Sequence, residues 1–299
     1  KNFPGSINLG IGEPDLDTPS EIVEEGCQAL RTGKTHYTAN AGIIELRNKI
    51  SEYLYTSGVE VDPEEEIIVT TGGMGALALA FMVTLSPNDE VLVQNPQWLN
   101  YFAQIKFFGG TPVSVPVKEQ NGFRLMVKDI EERITDKTKI LIINSPNNPT
   151  GAVLEDEDLI AIAKIANKHN LLVISDEVYS TLLYDDMKHK SIISIPGMKD
   201  RTIVVNSFSK SFAMTGWRVG FALGNKDIID RMTRLQENMV SCVTASSQYA
   251  ALKALDLFDR ADEMTKIYKE RRDIIVEGLN NIKGITCIKP KGSFYVFPN

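Results

Sequence analysis

The chain is poor in the residues that build metal centres and disulfide frameworks. It has three cysteines and three histidines in 299 residues. Cys27, Cys242 and Cys287 lie far apart, and so do His36, His169 and His189. Neither set has the close ligand spacing of a metal site, and an odd number of scattered thiols makes no disulfide framework. A reducing, cytoplasmic compartment is therefore expected. A Ser-His-Asp triad has little to draw on for the same reason. Any block of Lys and Arg is also missing. With 32 basic against 39 acidic residues the net charge is −7, the wrong sign for a nucleic-acid footprint. The longest nearly apolar run, 76–85, is about half of the ~20 residues a membrane span needs, and it reads as a buried helix.

What is present is the profile of a globular enzyme-sized chain, 43% hydrophobic and 24% charged, long enough for a large domain and a smaller one. Seven short apolar runs read as strands: 67–71, 90–94, 111–115, 139–144, 171–175, 202–206 and 219–223. Several, such as LLVIS, are apolar without alternation, as strands covered on both faces are. Between them, residues 157–168 carry apolar side chains at 159, 162, 163 and 166, a helical stripe. Residues 264–282 read as one long helix, and 285–288 and 294–297 as two further short strands. Alternation of this kind predicts an α/β protein with a mainly parallel sheet. Ligands of such sheets sit beyond the C-terminal strand ends.

Each strand end then offers one chemical group, and each group has an ordinary structural explanation beside it. After 67–71 comes Gly72-Gly73-Met74-Gly75, opening a helix: an anion-binding turn or only a tight turn. It is neither a P-loop nor a dinucleotide fingerprint. After 90–94 comes NPQWLNY, with Trp98 either a stacking plate or core packing. After 139–144 comes SPNNPTG, a rigid turn that presents the amide of Asn148. After 171–175 comes Asp176, either the N-cap of a following helix or a carboxylate aimed at a cationic ring nitrogen. After 202–206 comes SFSKSFAMTGWR. Lys210 stands beside Phe208 and Phe212, which would desolvate its amine, and Arg218 suits a phosphate; for either residue alone a surface-loop position is the ordinary explanation. One ligand uses an anion turn, a flat aromatic, an amide, a carboxylate and a Lys/Arg pair together: pyridoxal 5'-phosphate (PLP).

Through these residues the sequence resembles the fold-type-I PLP enzymes, specifically the class I/II aminotransferases of the aspartate and aromatic type. The resemblance runs in order through NLGIGEPDLDTP, THYTANAGIIELR, VTTGGMGALALA, NPQWLNY, INSPNNPTGA, ISDEVY, NSFSKSFAMTGWRVGFALG and GSFYVFPN. It implies a large PLP-binding domain over 40–280, with a mainly parallel, mixed seven-stranded sheet flanked by helices. A smaller, incomplete α+β domain would be formed by 1–39 and 281–299. It further implies that Lys210 holds the cofactor as a Schiff base and that Asp176 keeps the pyridine nitrogen protonated. Tyr179 and Asn148 would bond the phenolic oxygen, and Trp98 would stack on the ring. The phosphate would be held by the Gly73 and Met74 amides, Ser207, Ser209 and Arg218. Gly12 would line the substrate carboxylate site, where Trp98 and Asn148 would also meet substrate. Tyr37 would reach the phosphate of a neighbouring subunit, making a homodimer.

The reaction implied is ping-pong transfer of the α-amino group of an L-amino acid to a 2-oxo acid, with no nucleic-acid or membrane partner. Family members continue past residue 299, and the arginine that clamps the substrate carboxylate is expected in that continuation. A PLP β/γ-lyase of the same fold and a non-catalytic PLP-binding regulatory module are the competing readings. Product analysis separates the first, and failure of a PLP-loaded protein to turn over any amino acid would identify the second.

Overall fold

The computed structural model describes residues 5, 7 and 9–299. Residues 1–4, 6 and 8, part of the segment expected in the small domain, lie outside the described residues. Strands β1 (Ile67–Thr70), β2 (Glu90–Asn95), β3 (Thr111–Pro116), β4 (Thr138–Asn144), β5 (Leu172–Asp176), β6 (Thr202–Ser207) and β7 (Gly220–Leu223) form one sheet in the order β1-β7-β6-β5-β4-β2-β3. All pairs are parallel except the two made by β7, which runs against β1 and β6. The sheet is therefore mixed and mainly parallel, with each strand within two residues of its expected place.

The helices are α1 (Ser20–Arg31), α2 (Ile44–Thr56), α3 (Gly72–Thr84), α4 (Asn100–Phe107), α5 (Val127–Glu131), α6 (Asp156–Lys168), α7 (Phe208–Ser211), α8 (Lys226–Val240), α9 (Ala245–Ala254) and α10 (Phe258–Asn280). They cover both faces of the sheet, and the strands show why apolar runs lack alternation. Ile68, Val91, Val93, Ile140, Ile142, Ile174, Ile203, Val205 and Ala222 point to one face, packed with Ala76 and Phe81 of α3, Ile105 of α4 and Met232 of α8. Their neighbours turn the other way. Val69, Val204 and Phe221 meet α2 and α9, and Leu92, Leu141 and Val173 meet α6. A period of two with both sides dry reads in sequence as a continuous apolar run.

Residues 76–84 of the apolar run lie in α3, and Ala76, Leu77, Leu79, Ala80 and Phe81 are buried. No helix among the described residues is long and apolar enough to cross a membrane. The two short strands expected at 285–288 and 294–297 do not form. Thr286 and Asn299 exchange one reciprocal pair of backbone hydrogen bonds at 3.1 and 2.7 Å, and Leu183 bridges Gly292. Single pairs of this kind do not extend into a ladder. The helix expected at 264–282 is real but begins earlier, at Phe258.

Candidate active site

Because β1, β2, β4, β5 and β6 run the same way, their C-terminal ends share one edge of the sheet, and a cavity of about 430 Å³ opens there. Of the residues singled out from sequence, Gly12, Gly73, Met74, Trp98, Asn148, Asp176, Tyr179, Ser207, Ser209, Lys210 and Arg218 all line it. Tyr37 does not. It is 88% exposed, on a segment away from the cavity of its own chain.

One end of the cavity is built for an anion. The helix α3 begins on Gly72, so the amides of Gly73 and Met74 fall in its first turn, where no carbonyl one turn back can accept them. Gly72 has φ +69°, and a Cβ there would sit 2.8 Å from Arg218 Nη2. Only glycine lets the guanidinium come this close to the helix start. Gly220 does the same from below, since a Cβ on it would lie 2.9 Å from the Gly73 nitrogen. Across from Arg218, Ser207 Oγ lies 2.8 Å from Ser209 Oγ and also caps α7 by accepting the Ser209 amide at 3.1 Å. Amides, hydroxyls and a guanidinium converging on one spot make a donor set suited to a phosphate dianion.

The middle of the cavity holds a carboxylate and an amine. Asp176 is the last residue of β5 and is 3% exposed. No helix comes after it, so the helix-cap explanation fails: turns come next, and Oδ1 accepts the Val178 amide at 3.3 Å. Oδ2 accepts the Tyr101 hydroxyl at 2.5 Å. Burial pushes the carboxyl up to about 6, against the opposing effect of the Tyr101 bond. The Lys210 amine is held below the ordinary lysine value, also by burial. Phe208 and Phe212 stack on each other with centroids 6.2 Å apart inside the core, because they are four apart on a short helical turn. The ring that Lys210 Nζ faces is Phe294, 5.7 Å away.

Trp98 flanks the cavity with its ring edge-on to Tyr101, at 5.4 Å and 87°. Asn148 and Tyr179 converge on a third residue that sequence reasoning missed, Tyr295. The Tyr179 and Tyr295 hydroxyls are 2.7 Å apart, and Asn148 Nδ2 donates to Tyr295 Oη at 3.2 Å. Asn144, also unassigned from sequence, ties the strand ends together. Its amide donates to the Asp176 carbonyl at 3.0 Å, and its Oδ1 accepts the Asn148 backbone N–H at 2.8 Å. Tyr101 carried a faint signal, three residues past Trp98 in a helix-opening motif. Tyr295 stands in the motif GSFYVFPN, but nothing local tied it to Tyr179, 116 residues away.

A flat cationic heterocycle bearing both an aldehyde and a phosphate needs a neutral amine, a buried counter-charge for its ring nitrogen and an anion cradle, at fixed separations. This cavity offers an amine held below its ordinary value, a buried carboxylate and an anion cradle, and the class it defines is that of the PLP-dependent enzymes. Comparison with known proteins narrows it. Residues 4–299 match the model of the family "Aminotransferase class I and II". The chain is 44% identical to aromatic-amino-acid aminotransferase 2 of Thermococcus litoralis, over 100% of this chain and 77% of that protein. It is 47% identical to an aspartate aminotransferase of Pyrococcus abyssi, over 98% of this chain and 76% of the relative. The crystal structure of an aromatic aminotransferase from Pyrococcus horikoshii superposes with a TM-score of 0.95 at 47% identity, covering 97% of this chain and 79% of that one. The chain belongs to the class I and II aminotransferases. It is a PLP-dependent transferase, and its substrates are amino acids and 2-oxo acids.

Proposed function

We propose that amino-group transfer is carried by Lys210 and Asp176, which line one cavity. When bound, PLP supplies an aldehyde that combines with amines and a ring that accepts an electron pair. Lys210 would hold that aldehyde at rest. Burial keeps a larger fraction of its amine neutral, and a neutral amine is both nucleophile and base. With its amine free, Lys210 Nζ would be placed to take the proton from the donor's α-carbon. Asp176 would face the ring nitrogen and hold a proton on it, which its burial and fixed orientation favour. Tyr179 and Asn148 would hold the ring through its phenolic oxygen, and Trp98 would stack on it. Ser207, Ser209, Arg218 and the amides of Gly73 and Met74 would anchor the phosphate. Gly12 would line the carboxylate site of the substrate.

The observation that supports this most is the pairing of a desolvated lysine with a buried aspartate in one cavity that also carries an anion cradle. The relatives named for aromatic amino acids and for aspartate make those the first donors to test. A screen of aspartate, aromatic, alanine and branched-chain donors against 2-oxoglutarate and pyruvate should give one 2-oxo acid per amino acid formed. Release of free ammonia in place of a new amino acid would contradict transfer.

We also propose a homodimer in which Tyr37 reaches the neighbour's phosphate site. The segment that presents Tyr37 is clamped from below. Gln248 accepts the Ile43 amide at 2.8 Å and donates to Thr38 Oγ1 at 3.0 Å, and Gln236 donates to the Asn40 carbonyl at 2.6 Å. An aromatic ring 88% exposed on so firmly held a loop suits a cross-subunit contact. Tyr37→Phe should weaken cofactor retention and leave the unfolding midpoint of the cofactor-free protein unchanged. Full retention by a monomer would refute the contact.

A further inference from the structure

Tyr101 enters from the first turn of α4, and two features of the cavity depend on it. Its hydroxyl donates to Asp176 Oδ2 at 2.5 Å, in a place where both residues are almost wholly buried. Its ring stands edge-on to Trp98, with centroids 5.4 Å apart. One turn further along, Ile105 is fully buried in the same core, so the start of the helix is held to the sheet. The second carboxylate oxygen takes the Val178 amide. Tyr101 therefore fixes the one oxygen of Asp176 that the backbone does not, and the edge of the aromatic plate as well.

We propose that Tyr101 is a positioning residue of the reaction, orienting Asp176 and setting its proton affinity through a permanent hydrogen bond while buttressing Trp98. This rests on the reading that Asp176 meets the ring nitrogen. A hydrogen bond to a carboxylate stabilises its charged form, so losing the donor raises the carboxyl's affinity for a proton. Burial drives the Tyr101 phenol well above its ordinary value, so it stays a donor across the working pH range. A bond between two buried partners has no water to replace it when one is removed.

Tyr101→Phe keeps the ring and its contact with Trp98 and removes only the oxygen. In the cofactor-free protein, the titration of the Asp176 carboxyl can be followed by isotope-edited infrared spectroscopy, with Asp176→Asn identifying the band. The midpoint should rise by about one pH unit or more in Tyr101→Phe. It should fall when 3-fluorotyrosine, a stronger donor, occupies position 101, and this second variant serves even where the phenylalanine form does not fold. In the loaded enzyme, kcat should drop about tenfold, ~1.4 kcal/mol of barrier, with KM little changed. An unmoved midpoint in both variants would overturn the proposal. The role of Asp176 has its own control: normal turnover by Asp176→Asn would remove Asp176 from the chemistry whatever the infrared midpoints show.

Discussion

The Lys210 amine donates a hydrogen bond to the backbone carbonyl of Gly12 at 2.6 Å, joining positions 198 residues apart. The N-terminal segment thus lies directly over the amine that the chemistry uses. Gly12 is tightly boxed on its other side: a Cβ there would lie 2.0 Å from Tyr295 Oη. Gly12→Ala should therefore push Tyr295 off Tyr179 and Asn148. We expect KM for the amino donor to rise more than kcat falls. The two substitutions Gly12→Ala and Tyr295→Ala should be non-additive, coupled by about 0.5–3 kcal/mol as contacting residues are. Strict additivity in the double variant would show that the two do not share a site.

The raised carboxyl of Asp176 makes stability depend on pH. An acid whose folded value exceeds its unfolded one binds more protons in the native state between the two values. Stability then falls as pH rises from about 4 to about 6, and is flat above. Keeping this carboxylate thus weakens the cofactor-free fold at neutral pH. Asp176→Asn should raise its unfolding free energy at pH 7.5 by about 2 kcal/mol, which is the cost of ionising a buried acid less the weakening of the Tyr101 bond. The gain should shrink below pH 6. Denaturant unfolding at several pH values checks this, and destabilisation at pH 7.5 would contradict it.

The anion cradle can be tested at its tightest point. Gly72→Ala forces a side chain into φ +69° and onto Arg218. The backbone strain alone is roughly 1–2 kcal/mol. Because the guanidinium must move, PLP affinity measured by fluorescence titration should fall further than the strain explains, while the amine of Lys210 is untouched. Unchanged affinity would mean that Arg218 does not serve the phosphate.

Most of the fold and the outline of the site were legible in the sequence because the sheet is dry on both faces. Continuous runs such as LLVIS mark buried parallel strands. Parallel strands place their ends together, so the residues just past each run, from Gly73 to Arg218, could be gathered into one site. Local signals reached no further. Tyr101, Asn144 and Tyr295 act through contacts set by tertiary packing, and a phenol or an amide in a motif does not say what it bonds. The same limit hid one ring that Lys210 faces. Phe208 and Phe212 are its neighbours along the chain, whereas Phe294, on a distant segment, is its neighbour in space. The short strands expected at 285–288 and 294–297 failed for a related reason: their composition favours a strand, but a strand also needs a partner in register.

The most direct test of the site is the identity of the lysine that carries the cofactor. Purified protein incubated with PLP, reduced with borohydride, digested and mapped by mass spectrometry should carry the pyridoxyl group on Lys210. Lys210→Ala should still bind PLP through the cradle of Gly73, Met74, Ser207, Ser209 and Arg218, without the covalent label and without transfer activity. A label on another lysine, or stoichiometric labelling that survives Lys210→Ala with turnover intact, would contradict the assignment of the site.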